Sequence, residues 1–218
     1  MRGDTASGPG TAGCGIRSHA LRPHLISTVD LGGLRVSSPA TTWAMLGGEC
    51  GERWLVVVGD HLVRVPRDDR GTPVPSAQLT TIEMLHAAAI EPGRRNRSHL
   101  LGALDRVRVG SSSRLETEYR LDAEATGLPP MELDVEIRDV GGRLLGIADS
   151  VYPRYGVIVE VEGDHHRTSR RQWNRDIDRI AAFTGEGWDV TRLTGARVRG
   201  GTAPDVVASA LRRHGWQG

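Results

Sequence analysis

From Asp149 to His166 the chain reads Asp149-Ser-Val-Tyr-Pro-Arg-Tyr-Gly-Val-Ile-Val-Glu160-Val-Glu162-Gly163-Asp-His165-His166, which sets acidic groups beside an apolar run, a glycine and two histidines. Val157-Ile158-Val159 is β-branched and continuous, the composition of a strand covered on both faces. Glu160 and Glu162 prolong it at a spacing of two, which aims both side chains at one face. Like charges this close repel each other. Their burial is tolerated only beside a cation, beside a basic neighbour, or with one acid protonated. Oxygen ligands without a nearby cysteine favour Mg²⁺ or Mn²⁺, and the histidines leave room for a softer metal. The competing reading is an exposed edge strand on which Glu160 and Glu162 pair with arginines.

The elements that must position these groups lie on either side. Ser111 to Thr126 reads as a helix with serine caps before it and Gly127-Leu-Pro129-Pro130 as its stop. Met131 to Arg138 alternates apolar and polar residues, Asp139-Val-Gly141-Gly142 signals a hairpin turn, and Arg143 to Asp149 is a second strand ending on the acid. Beyond the third strand, Thr168 to Thr184 has helical spacing, with Trp173, Ile177, Ile180, Ala181 and Thr184 on its apolar phase. Trp188 to Leu193 reads as a strand and Thr202 to Arg213 as a last helix. The order is α-β-β-β-α-β-α.

That order, with Asp149 followed by Glu160-x-Glu162-Gly163-x-x-His166, Asp176-x-x-Arg179 and Gly187-Trp-x-Val-x-Arg192, resembles the PD-(D/E)XK nucleases. Within them it resembles the very-short-patch-repair-like branch that includes the domain of unknown function 559 family. The resemblance covers about half the chain, from Ser111 onward. It implies an α/β fold with a restriction-endonuclease-like core, in which Asp149 is the principal metal-binding aspartate and Glu160 the second acid. It also implies that Glu116, in Ser113-Arg-Leu-Glu116, is the acid of the first core helix and that His166 is a proton carrier or metal-shell residue. Asp149, Glu160 and the carbonyl of Val161 would then hold one or two Mg²⁺ (or Mn²⁺) ions for hydrolysis of a phosphodiester in DNA. Glu162 stands where many of these enzymes have lysine, as is usual in this branch. No lysine occurs in this chain, and all 28 basic residues are arginine.

Arg167, Arg170, Arg171 and Arg175, at the start of the helix after the site, are candidates for the DNA backbone. Interleaved with Asp176 and Asp178, the same run fits an ordinary solvated face equally well. Asp176 and Arg179, three apart, are placed to pair with each other. Trp173 and Trp188 are expected in the core, Glu118 and Glu124 at the surface, and His165 in a loop.

At 218 residues the chain has room for one large or two small domains. A net charge of +1 means that no global field draws it to nucleic acid, so DNA affinity has to be local. Two unspaced cysteines, Cys14 and Cys50, and the lack of a signal-like or membrane-length apolar run point to a cytoplasmic protein without a membrane partner. Residues 1–18 have the composition of a mobile terminus. Residues 19–110 read as a small α+β module: two short strands around Gly32-Gly33, a helix from Ser38-Pro39 to Leu46, and helices over Thr80–Ile90 and Arg97–Leu104. The type of the Trp54–Val58 run is open. This module resembles the segment that precedes such nuclease domains in actinobacterial proteins. The expectation is a Mg²⁺-dependent DNA endonuclease or nickase over residues 111–218. The alternative is a non-catalytic nucleic-acid-binding or antitoxin-type regulator that keeps the fold, and a weaker third reading has RNA as substrate.

Overall fold

The structure, a computed structural model, describes residues 22–162 and 170–218, the latter with side chains from 175 onward. It is a mixed α/β protein with a mixed four-stranded sheet and a small antiparallel sheet. The small sheet pairs β1 (Thr28–Leu31) with β2 (Leu34–Ser37) across Gly32 and Gly33, whose positive φ values of 61° and 85° suit a tight turn. Four helices follow: α1 (Pro39–Leu46), α2 (Glu52–Val63), α3 (Ile82–Ile90) and α4 (Arg97–Leu104). Ser38 caps α1 by accepting from Thr41 N–H, and proline takes the first helical position, where its missing donor costs nothing. The open Trp54–Val58 run lies in α2, where Leu55, Val56, Gly59 and Val63 repeat at helical spacing and are buried. They pack with Trp43, Leu85, Leu100 and Val107.

The second half contains α5 (Arg114–Ala125), β3 (Glu132–Arg138), β4 (Leu144–Tyr152), β5 (Val157–Glu162), α6 (Arg170–Gly185), β6 (Asp189–Thr194), α7 (Gly195–Arg199) and α8 (Ala203–Arg213). The sheet runs β3-β4-β5-β6, antiparallel at the first two contacts and parallel between β5 and β6, which α6 connects. Val157, Val159 and Val161 enter one core with Tyr119, Leu193, Val207 and Leu211, while Ile158 enters another with Phe183, Ala148 and Val151. This is the two-sided cover that the β-branched run calls for.

Three expectations are corrected. β4 does not end on Asp149 but continues to Tyr152, because Ser150, Val151 and Tyr152 pair with Val159, Ile158 and Val157 of β5. A short helix, α7, intervenes before α8, capped by Thr194 accepting from Arg197 N–H. The inner phase of α6 also differs: Phe183 is fully buried and Arg179 bonds to Glu160 and the Ile147 carbonyl, so that these two face the sheet, whereas Ile177 is 47% exposed and Ile180 half-buried. Trp188 packs against the Phe183 core; the Trp173 side chain lies outside the described residues, as do Cys14 and His165.

α5 lies between the two halves. Its Leu121 belongs to the core of α1 to α4, and its Tyr119 and Ala123 belong to the sheet core. Asp60 of α2, wholly buried, accepts from Arg120 Nη2 (2.8 Å), Thr117 Oγ1 (2.9 Å) and Arg108 N–H (2.8 Å). Among the described residues no helix is long and apolar enough to cross a membrane.

Candidate carboxylate site

Asp149 lies in the part of β4 that runs alongside β5, and its Oδ2 accepts from the Val161 amide at 2.8 Å. That bond ties the acid of one strand to the backbone of the next. Glu160, one residue earlier on β5, points away from the valine face and is 5% exposed. Its Oε2 accepts from Arg179 Nη2 of α6 at 2.7 Å, whereas its Oε1 is buried without a hydrogen-bond partner. An unpartnered buried carboxylate oxygen is costly, and such a group calls for an explanation.

Glu116 reaches the same neighbourhood from α5. Ser113 Oγ accepts from the Glu116 amide at 3.3 Å, and Glu116 Oε2 accepts from the Ser112 amide at 2.6 Å. This reciprocal arrangement is close to a capping box, which explains why glutamate stands three residues after the cap. Burial, and after it the charge of Asp149, pushes the Glu116 carboxyl up to about 7, against the pull of the Ser112 and Ser113 hydrogen bonds and of Arg64. The same two causes, in the same order, push Glu160 up to about 7 against Arg179. The charge of Asp149 thus acts on both glutamates, one from a helix and one from the neighbouring strand.

The structure brings Glu116, Asp149 and Glu160 together electrostatically and treats the other candidates differently. Glu162 is half-buried and ion-paired with Arg192 of β6. Val161 meets Asp149 through its amide. Arg175 is exposed on α6. His166 and Arg167 lie outside the described residues, and Arg170 and Arg171 open α6 with side chains outside them. Glu118, expected at the surface, is 7% exposed beneath Arg114, whose Nε donates to it at 2.7 Å; Glu124 is exposed, as expected. Asp176 and Arg179 do pair, at 3.7 Å, but Glu160 is the nearer partner of the arginine.

Two basic residues outside the candidate set act on the site. The signal for Arg179 is its spacing from Phe183, four residues on, which puts both on one helical face. Arg64, just past α2, carries no local sign that it acts on Glu116.

Among the described residues no group of three or more His, Cys, Asp and Glu forms a metal-ligand set. A smaller set of oxygens from Asp149 and Glu160, one of them orphaned, suits Mg²⁺, which is commonly held by one or two carboxylates and keeps several of its waters. No family model matches this chain, and neither a curated protein nor a solved structure does.

Proposed function

We propose that this chain is a divalent-metal-dependent DNA endonuclease, or nickase, with a PD-(D/E)XK restriction-endonuclease-like core of the very-short-patch-repair-like branch. The observation that carries the reading is the buried acid group: burial, and after it the charge of Asp149, raises both Glu116 and Glu160, and Glu160 keeps an oxygen with no partner. Acids gathered in this way and only partly offset by Arg179 and Arg64 are what a cation neutralises. In this reading Asp149 and Glu160 hold Mg²⁺ or Mn²⁺, with the Val161 carbonyl as a further ligand. The bound cation would lower the pKa of water and offset charge developing on the scissile phosphate. Glu116, anchored by the Ser112 amide and near 7, can take up or release a proton at neutral pH. His166 is the proposed proton carrier, Glu162 stands in the place of lysine, and Arg167, Arg170, Arg171 and Arg175 are the proposed contacts to DNA phosphates.

A second reading has its own observation. The pairs Glu160–Arg179 and Glu162–Arg192 neutralise two of the acids within the chain, as expected of a non-catalytic nucleic-acid-binding regulator that keeps the fold. Incubation with supercoiled plasmid and Mg²⁺ or Mn²⁺ separates the two. The enzyme nicks or linearises the plasmid, and both EDTA and Asp149→Asn abolish cutting, while binding persists because an anion beside phosphate has been removed. Binding without cutting at any metal concentration supports the regulator. Cutting that survives Asp149→Asn overturns the site, and cutting confined to an RNA arm overturns DNA as the substrate.

A further inference from the structure

We infer that Arg179 is a positioning residue that ties β4 to β5 from α6 and turns the Glu160 carboxylate so that Oε1 is left for a cation. The inference rests on the metal-dependent reading of the site. Arg179 uses two arms of one planar group: Nη2 donates to Glu160 Oε2 at 2.7 Å and Nη1 to the Ile147 carbonyl at 2.8 Å. Ile147 stands two residues before Asp149, so a single guanidinium grips the two strands that carry the acids.

The path of the side chain is built into the sheet. A Cβ at Gly146 would lie 2.8 Å from both Cγ and Cδ of Arg179 and 3.0 Å from Phe183 Cζ. Only a residue without a side chain lets the arginine stem cross β4 there. The guanidinium lies 5.8 Å from the centre of the Phe183 ring, which adds a cation–π contact, and Asp176 at 3.7 Å is its weaker acidic neighbour.

The fork is what matters. Lysine carries its charge at one point, whereas the arginine plane can satisfy a carbonyl and a carboxylate at fixed angles. With Oε2 held by Arg179, rotation of the carboxylate is blocked and Oε1 keeps one direction. A buried oxygen that is fixed in place and has no partner is a preorganised ligand position, and groups that orient metal ligands from behind are commonly worth 10- to 100-fold in affinity.

The test is titration of the full chain with Mn²⁺, following the electron paramagnetic resonance signal of free Mn²⁺, beside melting curves recorded without metal. Arg179→Gln should lower Mn²⁺ affinity by about 10- to 100-fold, and Arg179→Lys should recover only part of the loss. Gly146→Ala should weaken binding although Arg179 is intact, because the new methyl displaces its stem. Asp176→Asn should change little. Guanidinium ion supplied to Arg179→Ala should restore affinity, a rescue that a purely structural role would not give. Wild-type or tighter binding by folded Arg179→Gln overturns this inference alone. A wild type that binds no Mn²⁺ overturns it together with the metal-dependent reading. Should Arg179→Gln fail to fold, Gly146→Ala and Arg179→Lys carry the same comparison.

Discussion

Burial and the charge of Asp149 together decide how Glu116 and Glu160 titrate, and that makes the acid group visible in stability. Both carboxyls lie near 7 in the folded protein against an ordinary 4.5. Below 4.5 each is protonated in both states and the shift contributes nothing. Between 4.5 and 7 the folded protein holds protons that the unfolded chain has released, so stability falls as pH rises. Above 7 the whole cost is present, on the order of a few kcal/mol. Urea unfolding without metal should therefore show greater stability at pH 5 than at pH 8. Asp149→Asn keeps an oxygen to accept from the Val161 amide and removes the shared repulsion, so it should flatten that dependence; an unchanged slope would assign the shift to burial alone. At this scale the acids are legible because a β-branched run followed by two glutamates at a spacing of two is a local pattern. Arg179 as the partner of Glu160, and the burial of Glu118, are tertiary facts that no local pattern holds.

Within α6 the strongest element-level signal in the sequence misleads. Counting apolar residues at helical spacing selects Trp173, Ile177, Ile180, Ala181 and Thr184; of the four whose side chains are described, Ile177, Ala181 and Thr184 are exposed and Ile180 is half-buried, while Arg179 and Phe183 reach the sheet. Two large side chains outweigh three smaller ones. Phe183, the only phenylalanine in the chain, fills the space under β4 and β5, and Arg179 is drawn inward by a buried acid that offsets its own desolvation. The correct phase predicts a sharp contrast in urea unfolding. Phe183→Ala should cost about 3–5 kcal/mol, and Ile177→Ala should stay within about 0.5 kcal/mol; comparable losses would restore the apolar count. The strands and the helix boundaries are legible almost throughout, because turns such as Asp139-Val-Gly141-Gly142 and caps such as Ser38, Thr81 and Ser113 mark them locally. The extension of β4 past Asp149 was hidden for the opposite reason: pairing to Val157–Val159 sustains it, and Pro153 ends it later than the acid suggests.

Across the whole molecule, the junction near residue 110 is crossed by contacts that a flexible linker between independent modules would lack. Arg67 holds Asp134 through Nε at 2.9 Å and Glu136 through Nη1 at 3.0 Å, fastening the segment after α2 onto β3. Arg53 holds Asp122 at 2.6 Å. The deepest of these contacts is the Asp60–Arg120 pair, in which both side chains are almost fully buried, and Leu121 beside it packs into the core of α1 to α4. Because α5 supplies Glu116 to the acid group and Arg120 to this pair, the first half of the chain supports the site through α5 as well as through Arg64. Removing one member of a buried ion pair leaves the other charged and unsatisfied, so Asp60→Ala should cost about 3–5 kcal/mol. If the halves open together, hydrogen exchange at the slowest amides of Leu55 and Val56 in α2 and of Ile158 and Val159 in β5 should accelerate by the same factor in that variant, since each exchanges through the same global opening. Acceleration in α2 with β5 unchanged would mean that the sheet and its acid group stand without the helices before them.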